Sequence, residues 1–133
     1  MPDRQDPKPL PIEMTRAEPQ LLVTNIERSI SFFTEKLGFE TQFTYGEPPF
    51  FAQVARDNAY INLRWVEELI VQPTILHQEA FLAATICVES IDELFSELKG
   101  HGVEFYQELR TEPWGACTFI IFDPDRSLIM FAG

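Results

Sequence analysis

Apolar residues along this chain follow two periods in turn. From Pro19 to Val23 they run as a short strand. From Ile26 the apolar positions are Ile30, Phe33 and Leu37, at intervals of four, three and four. That spacing predicts an amphipathic helix over residues 26–37. Asn25 is placed to cap its N-terminus, with Glu27 and Arg28 in the first turn, and Gly38 to end it. Phe39 to Thr44 then returns to a strand pattern.

The same order of signals recurs downstream. Ala84 to Val88 reads as a strand, Ser90 as a cap, and Ile91, Leu94, Phe95 and Leu98 as one helical stripe closed by Gly102. Val23 and Val88, Asn25 and Ser90, and Phe33 and Leu98 are each 65 positions apart. Gly38 and Gly102 are only 64 apart, so the second helix is one residue shorter at its end. After each helix come a strand, a turn and another strand. They are Phe51–Ala55, Arg56-Asp57-Asn58 and Ala59–Trp65 in the first half, then Thr118–Phe122, Asp123-Pro124-Asp125-Arg126 and Ser127–Phe131 in the second. The turn residues favour tight reversals.

Each half is therefore strand, helix and three strands, and neither half alone has a second layer to cover its sheet. The expected fold is α+β, with two repeated βαβββ modules forming an open, cup-shaped mixed sheet and both helices outside. An unrelated α+β sandwich with similar halves is the competing architecture. A concave, partly apolar sheet is a natural place for a small molecule.

Composition narrows this picture. Residues 1–17 carry Pro2, Pro7, Pro9 and Pro11 among charges and read as an arm or disordered tail. The domain spans residues 18–133, with the first module at about 18–72 and the second at about 80–133. Ten Lys and Arg stand against 21 Asp and Glu, a net charge of −11. No basic face is visible, which argues against a nucleic-acid partner, while the charge suits a cationic ligand. The arm has no apolar core of the kind a secretory signal needs, and no run of residues is apolar enough to span a membrane, so a cytoplasmic protein is expected. Cys87 and Cys117 are too few for a disulfide framework or a thiolate metal site.

Several phrases resemble a known family. Residues Pro19–Ile26, Ser31–Phe39, Ile91–Leu94, Glu112–Gly115 and Asp123–Arg126 are similar to the glyoxalase, bleomycin-resistance and extradiol-dioxygenase superfamily. The resemblance runs from about Glu18 to Phe131, is strongest to the bleomycin-resistance branch, and implies the vicinal oxygen chelate fold. Metal-dependent members place one ligand near the start of each module and one in its last strand. Here those positions hold Glu18, Asn62, Ala83 and Met130. One carboxylate, one amide, one methyl and one thioether do not make a site for a hard divalent ion. Neither His77, expected in a solvated linker, nor His101, expected at a helix end facing its dipole, falls on a matching position.

If those four positions face the cup, strand alternation brings Gln20, Tyr60, Arg64, Thr85 and Cys87 beside them. The expected ligand-binding set is Glu18, Gln20, Tyr60, Asn62, Arg64, Thr85, Cys87 and Met130, with Trp114 in a loop able to close over a ligand. No catalytic residue, metal or cofactor is expected. The reading is a metal-independent small-molecule-binding protein that sequesters a cationic drug or metabolite. The alternative is a divalent-metal-dependent lyase, isomerase or dioxygenase with a non-standard site. Relatives of this architecture share halves between chains, which implies a homodimer.

Overall fold

The computed structural model describes residues 10–133. The predicted arm therefore lies partly outside the described residues; its described part, residues 10–17, forms neither helix nor strand. Strand β1 is Gln20–Val23 and helix α1 is Ile26–Ser31, which runs into a π-helical turn over Phe32–Lys36. Strands β2 (Glu40–Tyr45), β3 (Phe51–Arg56) and β4 (Ala59–Trp65) complete the first module. A short helix α2 (Pro73–Glu79) leads to β5 (Leu82–Cys87), α3 (Ile91–Gly100), β6 (Phe105–Thr111), β7 (Cys117–Phe122) and β8 (Leu128–Ala132).

The two sheets have equivalent strand orders, β1-β4-β3-β2 and β5-β8-β7-β6. In each, the first and last strands of the module pair in parallel and the other pairs are antiparallel. Parallel neighbours need a crossover, and the helix supplies it. The expected pair of βαβββ modules is thus present.

The one-residue difference between the halves has a structural form. At the end of the first helix the Leu37 amide donates to the carbonyl of Phe32, five residues back, at 3.3 Å. The end of α3 is ordinary, with the His101 amide donating to Glu97 at 3.1 Å. The extra residue is absorbed as a widened turn, which keeps Phe33 buried where α3 places Leu98. Asn25 caps α1 as expected, its side-chain oxygen accepting from the Arg28 amide at 3.0 Å. Ser90 occupies the equivalent place before α3 but makes no side-chain cap bond.

Burial follows the predicted alternation. Leu21, Val23, Ile61, Leu63, Ile129 and Phe131 are buried, whereas Gln20, Arg64, Thr85 and Cys87 are exposed. A one-residue slip would invert this pattern, so burial fixes the register. The buried residues of both modules form one contiguous core that includes Phe33, Leu98 and Phe119. Each such side chain, moved out of water, contributes about 1.5–3 kcal/mol.

Helix α2 corrects one expectation. His77 is not a solvated linker residue: it sits in α2, half-buried, with its Nε2 2.9 Å from the carbonyl of Arg126 and its ring against Tyr106 and Phe122. Pro73 begins the helix, where its missing N–H costs nothing.

Candidate functional site

The expected site residues fall into three groups. On the open face of the first sheet, Glu18 sits beside Asn62. One of its oxygens accepts from Gln53 Nε2 at 3.0 Å and Asn62 Nδ2 at 3.3 Å, and the other from Arg16 Nε at 2.6 Å. The Arg16 hydrogen bond, helped by the two amides, holds the Glu18 carboxyl below its ordinary pKa. The ion-pair partner of Glu18 is Arg16, which enters from the segment before β1. Arg64 instead stands exposed on the same strand as Asn62, opposite Leu22, with Gln20 opposite Asn62. Gln53 was missed. It is buried and pairs with Asn62 across β3 and β4, so alternation carried into β3 would have found it.

The second group surrounds a hollow of about 510 Å³ on the second sheet, lined by Trp114 and Met130 together with Gln107, Arg110, Glu112 and Ile120. Glu112 is buried and accepts from Thr118 Oγ1 at 3.0 Å and from Arg110 Nε. Gln107 Nε2 donates to the same Thr118 hydroxyl at 3.0 Å. The Arg110 hydrogen bond outweighs burial and holds the Glu112 carboxyl low, so it stays an anion. Trp114 lies in the reversal between β6 and β7, where the Glu112 amide donates to Ala116 and the Gly115 amide donates to Glu112. Gly115 has φ +101°, a conformation that favours glycine. Trp114 is 75% exposed, so it does not seal the core. Arg110 went unassigned because β6 mixes charges with apolar residues and carries no clean alternation, and Glu112 because it lies in the reversal just after that strand.

Thr85 and Cys87 form the third group. With Tyr60 they line a separate cavity of about 800 Å³ where the two modules meet. Arg16 lies over the Tyr60 ring, 3.5 Å from its centre.

The four positions that hold metal in relatives do not fit a metal here. Ala83 has no donor, Met130 offers a soft thioether, and the one carboxylate, Glu18, has both oxygens bonded by Arg16, Gln53 and Asn62. Among the described residues, no group of three His, Cys, Asp or Glu side chains is placed to hold a metal ion.

Comparison with known proteins agrees with this architecture. The family model of the glyoxalase/bleomycin resistance protein/dioxygenase superfamily matches residues 15–131. A bleomycin resistance protein of Geobacillus stearothermophilus is 32% identical over 129 residues, covering 89% of this chain and 96% of its own length. A bleomycin resistance protein of Staphylococcus aureus is equally similar, with the same coverage. Among solved structures, the bleomycin-binding protein of bleomycin-producing Streptomyces verticillus, complexed with copper(II)-bleomycin, superposes with a TM-score of 0.70 at 22% identity. That likeness covers 90% of this chain and 96% of that one. UcmS2 superposes with a TM-score of 0.72 at 20% identity, over 91% and 98% of the two chains. With its two four-stranded mixed sheets and duplicated modules the chain has the vicinal oxygen chelate fold, and it belongs to the glyoxalase/bleomycin resistance protein/dioxygenase superfamily.

Proposed function

We propose that this protein binds and sequesters a bleomycin-type drug or a similar small cationic compound, without a metal of its own, against the open face of its second sheet. The observation that carries this reading is Trp114: a large ring left exposed beside a hollow whose floor is Met130 and Ile120 and whose wall is the Arg110–Glu112 pair. An exposed aromatic face suits a ligand that is flat in one part, and the Arg110–Glu112 pair beside it offers polar partners to the rest. The net charge of −11 raises the encounter rate of such a ligand. The 32% identical bleomycin resistance proteins support the same class. A metal-dependent lyase, isomerase or dioxygenase is disfavoured by the donor set at Glu18, Asn62, Ala83 and Met130.

The functional unit in this reading is a homodimer in the cytoplasm. The hollow on the second sheet is lined by residues of that module and the preceding segment alone. The open face of the first sheet, with Glu18, Gln20, Asn62 and Arg64, supplies its opposite wall from a second copy. Among the described residues no helix is long and apolar enough to cross a membrane.

Calorimetric titration with metal-free bleomycin tests the reading. Binding to the wild type is expected, with Trp114→Ala weakening it by about 1–3 kcal/mol, chiefly through faster dissociation. Equal affinity in a folded Trp114→Ala variant would remove the hollow as the site. Sedimentation equilibrium at micromolar concentration is expected to show a dimer.

A further inference from the structure

We propose that the cavity between the two modules is a second ligand site, selective for an organic cation with a bulky apolar body. It is separate from the hollow beside Trp114, since no residue lines both. Its volume of about 800 Å³ lies within the range of small-molecule pockets.

The chemistry of the lining selects the ligand. The floor is apolar, made by Ile61 of β4, Phe131 of β8 and Leu98 of α3, all members of the core. Asp57, Glu89 and Glu93 line the cavity as well, and none of them has an ion-pair partner among the described residues. Among the described residues, Arg56 is the one basic residue lining the cavity. It is neutralised by Glu97, whose two oxygens accept from its guanidinium at 2.7 and 3.1 Å. Arg16, which lies over Tyr60 near this lining, is likewise bound to Glu18. Three exposed carboxylates without an ion-pair partner among the described residues thus stand around a cavity with an apolar floor, an arrangement that gives its mouth a negative field. An anion would meet that field unpaired, and a small hydrated cation would leave the apolar floor uncovered. A cation that carries its charge on an apolar body satisfies both.

Cys87 supplies an independent readout, since its exposed thiol lines the same cavity. The probes are tetraphenylphosphonium and tetraphenylborate, which have nearly the same shape and opposite charge. Full-length protein is expected to bind the phosphonium at least about tenfold more tightly than the borate, and the Glu89→Gln, Glu93→Gln double variant to reduce that preference to about threefold or less. Bound phosphonium should slow maleimide labelling of Cys87 by about fivefold or more, with Cys87→Ser identifying the labelled thiol. Leu94→Trp, which fills the cavity from α3, should abolish binding of both probes and leave bleomycin affinity unchanged. Trp114→Ala should leave phosphonium binding unchanged, so failure here and failure of the bleomycin site are distinguishable. Equal affinity for the two probes, or phosphonium binding without protection of Cys87, would overturn the proposal. So would absence of binding because the chain's own N-terminal arm or a second copy fills the cavity. The two glutamines lie at exposed positions, so the charge test stands even where Leu94→Trp fails to fold.

Discussion

Thr24 and Asp125, 101 positions apart, meet where the two modules join. The Thr24 amide donates to Asp125 Oδ2 at 3.1 Å and its hydroxyl donates to Oδ1. Arg28 Nη2 reaches the same Oδ1 at 3.1 Å. Asp125 is nearly fully buried, and Arg28 is half exposed. Removing the carboxylate leaves the half-buried Thr24 donors without a partner. Asp125→Ala is therefore expected to cost about 2–4 kcal/mol in urea unfolding. Arg28→Ala should cost under about 1 kcal/mol because solvent screens its share. Equal losses in the two variants would mean that the ion pair, not the Thr24 bonds, joins the modules.

Asp123, two residues earlier, carries a pH dependence of definite sign. Burial, opposed by the Ser127 and Asp125 amides that donate to Oδ1 and reinforced by the Asp125 charge, raises its pKa from 3.8 to about 7. Arg28 is the nearby cation and lowers it slightly. Its other oxygen, Oδ2, is buried without a partner. A raised acid holds its proton more tightly in the folded state. The stability it contributes is present below pH 4 and is lost as pH rises toward 7. Asp123→Asn keeps the Oδ1 acceptor and removes the titration. Its stability relative to the wild type should improve by about 1–3 kcal/mol between pH 5 and pH 8. A difference that does not change with pH would refute the assignment.

Gly38 and Gly102 end equivalent helices, with φ of +74° and +75°, but their surroundings differ. A Cβ on Gly38 would lie 2.9 Å from Arg56 Nη1, whereas one on Gly102 would meet nothing within 4 Å. Gly102→Ala should cost about 1 kcal/mol, the backbone term alone. Gly38→Ala should cost about 1 kcal/mol more, because Arg56 must move away from Glu97 and from the Leu37 carbonyl. Thermal unfolding of the two variants side by side checks this. Equal losses would show that the Arg56–Glu97 pair yields freely.

Local physics made much of this protein legible in its sequence. The periods of four and three, the Asn25 cap and the closing glycines set both helices, and alternation set which side of β1, β4 and β5 is buried. Even the offset of 65 falling to 64 marked the place where the first helix widens into a π turn. These features depend on neighbours a few residues away, so they repeat wherever the pattern repeats.

The assembly of the site was not legible. Alternation says that Tyr60, Thr85 and Met130 lie on given strand faces, but not which of those faces meet. Tertiary packing put Tyr60 with Thr85 and Cys87 at the seam, and Met130 with Trp114 in the hollow. The pairings Glu18 with Arg16, Glu97 with Arg56 and Thr24 with Asp125 depend on how one module rests on the other or how the chain enters its first strand. Helix α2 escaped notice because its residues are not buried and it leaves no apolar stripe. The sequence determined each module through short-range periodicity, and only the packing of one module against the other decided which side chains share a cavity, because contacts between distant residues leave no period in the chain.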